Sequence, residues 1–184
     1  MCGDIMLKIS DIVGYPIVCN DQKKFRGEVK DAVLDLKNCT LTGLIIDYGS
    51  LIHHTRVIPF NSIYKINRNN IMVRFKKNIL EIKNMDLNKY FIKKNEKILG
   101  CEVIEDNGKL LGFIQDIIFE EKSGNILGLV LTNGMIDDIF NGIQILPINN
   151  SIIFEKEKIV ILRDTKNDIL KNIGGLKKLL ELEH

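Results

Sequence analysis

Alanine is almost missing from this sequence: Ala32 is the only one, against 31 isoleucines. Apolar content that is β-branched rather than helix-favouring argues against a helical bundle and for an all-β fold. Long apolar runs are missing too, since none approaches the ~18 residues that a membrane-spanning helix needs. The N-terminus, MCGDIMLKIS, has an acid where a secretory signal would have a basic and then an apolar stretch, so a cytoplasmic location is expected. Histidine is confined to His53, His54 and His184, and the last ends Leu182-Glu183-His184, which resembles the start of a purification tag. The four cysteines (Cys2, Cys19, Cys39 and Cys101) show no CxxC spacing and no nearby histidine. That excludes the usual zinc and redox-pair patterns and leaves small buried hydrophobes or inert thiols. No GxxxxGK[ST] or GxGxxG loop occurs, Gly174-Gly175 is an isolated pair, and Asp137-Asp138 lacks EF-hand spacing. No cofactor and no metal are expected.

What is present is one phrase written twice, FRGEVKDAVLD at 25–35 and LLGFIQDIIFE at 110–120. Aligning them brings Gly14 to Gly100, Gly27 to Gly112, Asp31 to Asp116, Gly43 to Gly128 and Pro59 to Pro147, with offsets of 85 to 88. A period this long marks a duplicated domain rather than a solenoid, whose units are about 20–50 residues. Each copy should then have its own core. Within each copy the apolar period is two: Val29, Asp31 and Val33 share one face, as do Ile114, Asp116 and Ile118. Turns follow at LKNCT and EKSGN, where Gly124-Asn125 suits a tight hairpin, and then strands LTGLIID (41–47) and ILGLVLT (126–132). Gly43 and Gly128 inside those strands suggest a bulge or bend of the kind that closes small sheets. Pro59 and Pro147 place RVIPF and QILPI at a strand end or an edge, with a short helical turn after them. IMVRF (71–75) and KIVIL (158–162) read as last strands.

This arrangement resembles the PRC-barrel family: a glycine, then G-x-[VI]-x-D, a hairpin, G-[LV]-[VI] and [IL]-P. The resemblance covers about residues 7–75 and 98–162, and the first copy lacks the DG-type turn before its second glycine. The chain as a whole is similar to tandem PRC-barrel proteins of Gram-positive bacteria, some linked with sporulation, and its surplus of Ile, Lys and Asn fits an A/T-rich bacterial genome. The family also includes a domain of the photosynthetic reaction centre H subunit and the C-terminal domain of the ribosome maturation factor RimM. The resemblance implies two tandem small antiparallel β-barrels and docking onto a larger assembly, without enzymatic activity. The expected division is 1–75 for the first barrel, 76–97 for a lysine-rich linker with a short helix near Asp86–Phe91, 98–163 for the second barrel, and 164–184 for a C-terminal helical segment.

Read from the residues, Asp31 and Asp116 each stand alone, and a lone repeated acid is more often a clamp on backbone N–H groups than a general acid or base. His53 and His54, with Asp47 nearby, are the best alternative for chemistry, but adjacent side chains in an extended segment point to opposite faces. Ser50, Thr55 and Ser62 lie near them without a nucleophile-elbow sequence. Residues 1–92 carry 14 basic against 9 acidic groups, net +5, and residues 93–184 carry 12 against 15, net −3. The basic half admits an RNA- or ribosome-associated alternative through Lys23, Lys24, Arg26 and Lys30 with Phe25 interleaved. The absence of tryptophan and the scarcity of arginine weigh against it, so no RNA complex is expected at physiological ionic strength.

In DTKNDILKNIGGLKKLLE (164–181), Thr165 and Asp168 resemble an N-terminal cap, and Ile169, Leu170, Ile173, Leu176, Leu179 and Leu180 recur at helical intervals. That face is the candidate interaction surface for a protein partner or a second copy of the chain. Gly174 and Gly175 would each cost about 1 kcal/mol in a helix interior, so such a helix would need packing to persist.

Overall fold

In a computed structural model of the chain, the residues described are 5–20, 24–47, 55–82, 98–133, 144–149, 152–155, 158–162 and 169–171, with backbone only at 24–26, 47 and 171. The chain divides into two compact units, Met1–Asn95 with Phe119–Asn125, and Glu96–Ile118 with Ile126–His184. Nearly every described element is a strand, as the isoleucine-rich, alanine-poor composition predicts.

The first unit runs β1 (Met6–Lys8), α1 (Ile9–Ile12), β2 (Pro16–Cys19), β3 (Lys24–Glu28), β4 (Asp31–Asp35), β5 (Thr40–Asp47) and β6 (Thr55–Pro59). A 3-10 turn at Phe60–Ser62 leads to β7 (Ile63–Ile66) and β8 (Ile71–Val73), and a second at Lys76–Asn78 leads to β9 (Leu80–Ile82). Apart from β1, these strands form two sheets, in the orders β3-β2-β8-β7 and β4-β5-β6-β9. The duplicated phrase is the corner between them. Val29 donates its N–H to Tyr15 O (2.9 Å), next to β2, whereas Lys30 donates to Ile45 O (2.7 Å) in β5. Successive amides thus serve different sheets, and the buried Val29 side chain fills the corner. Ile45, Val57 and Ile82 form a buried cluster against which Val33 and Leu80 pack.

The second unit runs β10 (Glu102–Glu105), β11 (Leu110–Glu120), β12 (Ile126–Thr132), β13 (Gln144–Pro147), β14 (Ile152–Phe154), β15 (Lys158–Ile161) and β16 (Leu170–Lys171). Its strands are ordered β14-β15-β10-β11-β12-β13-β16. The stretch that breaks into β3 and β4 in the first copy is here one continuous strand, β11. The hydrogen bonds around it nevertheless repeat. Gly14 N–H to Val29 O (2.8 Å) has its counterpart in Gly100 N–H to Ile114 O (2.7 Å). Asn20 N–H to Val73 O (2.9 Å) is matched by Asp106 N–H to Ile161 O (3.0 Å). Gly43 faces Pro59 across β5 and β6, and Gly128 faces Pro147 across β12 and β13. Both prolines are the last residues of their strands, where a missing N–H costs no ladder bond.

Four features depart from the sequence reading. First, the sheets are not purely antiparallel: β2 runs parallel to β8 and β10 parallel to β15. These partners are far apart in sequence, so no tight turn dictates their direction. Second, among the described residues the hydrogen-bonded strand orders do not close into rings. Third, the stretch from 76 to 82, assigned to the linker, adds β9 to the first unit, where Thr55 pairs with Ile82 and Ile82 is buried. Fourth, Leu170 is not helical; it lies in β16 opposite Ile145 of β13, which gives that strand a second neighbour. Ile169 precedes β16, while the expected linker helix near Asp86–Phe91 and residues Thr165, Asp168, Ile173, Leu176, Leu179 and Leu180 lie outside the described residues.

The hairpin tip Phe119–Asn125 folds with the first unit although it belongs to the second copy of the sequence. Leu41 N–H donates to Gly124 O (2.7 Å), Glu121 N–H donates to Ile5 O (2.9 Å), and the buried Phe119 ring meets Phe60 edge-on with centroids 6.2 Å apart. Nothing in the period-two pattern marks this allegiance, because alternation reports burial and not the identity of the covering surface.

Candidate functional site

The repeated glycine and aspartate hold the corner. Gly27 and Gly112 have φ of +130° and +149°, a region closed to L side chains. Four residues on, Asp31 Oδ1 accepts the N–H of Ala32 and Asp116 Oδ1 accepts the N–H of Ile117, both at 2.8 Å. Asp116 is 6% exposed and Asp31 partly buried. In both copies one carboxylate oxygen is therefore directed at the chain's own backbone. In the first copy a register shift lies opposite Gly43, between Val33 and Leu34, and Thr42 donates its hydroxyl to Val33 O (2.9 Å).

The hairpin turn after β4 is built on another carboxylate. The buried Asp35 takes the N–H groups of Lys37 (3.1 Å) and Asn38 (3.2 Å) on Oδ1, and the Asn38 side-chain amide (2.6 Å) on Oδ2. Cys39 closes this turn at φ +50°, and it occupies the place of Gly124, which has φ +76°, at the repeat offset of 85. Burial first, and the Asp35 carboxylate second, push the Cys39 thiol above its ordinary value. The thiol donates to Leu36 O at 3.4 Å. A raised folded-state pKa contributes stability that is present below the unfolded value near 9.0 and is lost as pH rises through the higher folded value. Alkylation of Cys39 at neutral pH, followed by peptide mass spectrometry, is accordingly expected to be much slower in the folded than in the unfolded chain. Equal rates would contradict this placement.

The remaining candidates do not assemble into a catalytic set. Thr55 is fully buried in β6, and Ser62 Oγ accepts from the Asn78 side-chain amide at 3.5 Å. Asp47 ends β5 with its backbone opposite Arg56; Ser50, His53, His54, Asp137 and Asp138 lie outside the described residues. Among the described residues no group of three His, Cys, Asp or Glu side chains converges as metal ligands would. Of the basic set considered for RNA, Lys30 is in an ion pair with Glu28, while Lys23 and the side chains of Lys24, Phe25 and Arg26 are outside the description.

Two features were missed in the sequence. Glu105 is buried at the end of β10, where its Oε2 accepts from the Asn107 amide (3.1 Å), and the corresponding residue of the first copy is the buried Cys19. The shared pairing of Cys19 with Val73 and Glu105 with Ile161 reveals this correspondence. The second is an exposed pair on the outer hairpin of each copy, Tyr64 with Arg74 and Ile153 with Leu162. Such exposure is not readable from residue type alone.

Two copies of one small β module, each with the same glycine corner and the same backbone-bound aspartate, define a tandem all-β protein. The PRC-barrel domain family matches residues 4–80 and again 93–168, and the chain belongs to that family. No curated protein matches the chain by sequence. PRC-barrel domains are in general protein-interaction modules and typically non-enzymatic. Among the described residues no helix is long and apolar enough to cross a membrane.

Proposed function

We propose that this chain is a non-enzymatic assembly module that docks onto a protein partner, or onto a second copy of itself, through the surfaces of its two PRC-type units. The observation that carries the reading is the fate of the repeated acids: in each copy the aspartate binds the adjacent backbone N–H at 2.8 Å, so the most chemically suggestive residues of the duplicated phrase support the corner. One difference between the copies is the exposed pair on their outer hairpins, Tyr64 with Arg74 against Ile153 with Leu162, which would suit the two units to different ligands. Co-purification of the full chain from native cells, with and without nuclease, tests the proposal. A protein retained equally in both arms supports it, whereas loss of the bound material on nuclease treatment supports an RNA- or ribosome-associated role instead.

A further inference from the structure

The outer hairpin of the first unit combines a strand edge with an unusually one-signed surface. In the order β3-β2-β8-β7, β7 ends the sheet, so among the described strands it is paired on one side only. Ile63 pairs with Val73 and Lys65 with Met72, which leaves Tyr64 as the extra residue of a bulge. Tyr64 is 52% exposed and carries the Arg74 guanidinium 5.3 Å from its ring centroid. Phe75 is 44% exposed with the Lys77 ammonium at 5.4 Å. Around them Lys65, Arg68, Arg74, Lys76 and Lys77 are all exposed, and the sequence contains no acidic residue between Asp47 and Glu81. Neither ion pair found among the described residues involves any of these five cations. Edge strands are often blunted by a lysine or a bulge. Five unneutralised cations from 65 to 77 go beyond that use.

At two of these positions the second copy carries different chemistry. There Ile152 pairs with Ile161 and Ile153 with Val160, so Ile153 and Leu162 hold the places of Tyr64 and Arg74. They are 49% and 45% exposed, and both are aliphatic. One location on the module thus presents cations and aromatic rings in the first unit and aliphatic side chains in the second.

We propose that the β7–β8 edge of the first unit is the docking site for an extended, acidic segment of another protein, which adds as a strand beside β7 and sets its carboxylates against Lys65, Arg74 and Lys77. This rests on the protein-docking reading above. Two observations favour a polypeptide over a nucleic acid. A strand edge offers alternating N–H and C=O groups that only another backbone matches along its length. The two rings on which bases would stack already carry the chain's own cations on a face. The charges that remain suit carboxylates spaced at every second residue of an extended chain.

The test titrates the full chain into a fluorescent synthetic peptide alternating glutamate and valine, and separately into an oligouridylate of equal net charge. The same titrations use R74E/K77E, whose exposed side chains can be exchanged without touching the core. The peptide is expected to bind and to slow amide exchange at Ile63–Ile66, and R74E/K77E is expected to weaken it about tenfold or more, as like-charge juxtaposition does. Tighter binding of the oligouridylate, unchanged peptide affinity in R74E/K77E, or no binding by the wild-type chain overturns the proposal. If R74E/K77E still retains a nuclease-resistant partner from native cells, only this placement fails. If the wild-type chain retains no protein, the underlying reading fails.

Discussion

Replacing Gly112 with alanine is expected to cost about 3 kcal/mol or more of folding free energy, combining a backbone region closed to L residues with a direct steric conflict. At φ +149° an added Cβ would lie 2.7 Å from Asn133 Oδ1 and 2.8 Å from the Thr132 carbonyl oxygen. The Asn133 amide can swing away, but the carbonyl belongs to the backbone at the end of β12 and can retreat only by disturbing the strand. The equivalent change at Gly27 is milder, because there the Cβ would meet Arg56 Nη2 at 3.3 Å and Ile46 O at 3.4 Å. A loss of about 1–2 kcal/mol, mostly backbone strain at φ +130°, is expected at that position. Urea denaturation of the two variants measures the difference. Equal losses, or a Gly112→Ala loss below about 0.5 kcal/mol, would contradict the corner geometry.

The second large effect is expected at Gly124, and its location is as informative as its size. An alanine Cβ would stand 2.8 Å from Phe60 Cε1 and 2.9 Å from the Leu41 carbonyl oxygen, at φ +76°. The Phe60 ring would have to leave its edge-on contact with Phe119, and the hydrogen bond from Leu41 N–H to Gly124 O would be strained. A loss of about 2–4 kcal/mol follows from left-handed strain together with disrupted core packing. Although Gly124 belongs to the second copy by sequence, the segment Phe119–Asn125 folds with the first unit. Native-state hydrogen exchange should therefore show protection lost first in β5 and β6 for Gly124→Ala, and in β10 to β12 for Gly112→Ala. Protection lost in the same strands for both variants would count against this division.

The strands were legible because alternation is a local property. Leu44 to Ile46 of β5 and Ile159 to Ile161 of β15 sit in apolar runs bounded by turn residues, which suffices to call a strand. The repeat was legible for a different reason: Gly27 and Gly112, with their positive φ, mark a position that few residues can fill. Strand direction was not legible. The parallel pairing of β2 with β8 depends on where a strand returns after more than fifty residues, and no side chain of Ile17 or Ile71 encodes it. Leu170 misled because a two-residue strand is too short to show an alternation, so the helical spacing of its neighbours dominated. Cys39 concealed a left-handed turn position that the aligned Gly124 would have disclosed, had the hairpins been compared residue by residue. At the outer hairpin, Tyr64 gave no signal because an aromatic side chain is as readily covered as exposed, and Arg74 gave none because an exposed arginine is ordinary. Only their exposure and the absence of acids around them make that surface distinctive.

The most direct test of the account is the composition of what the full chain retains from native cells after nuclease treatment, quantified relative to the chain itself. The account predicts a protein, either a distinct partner or a second copy of the chain, in near-stoichiometric amount, undiminished by nuclease and equally retained by the His53→Ala/His54→Ala double variant. Bound material that disappears with nuclease, or a biological activity abolished by the histidine substitutions while the fold persists, would contradict it.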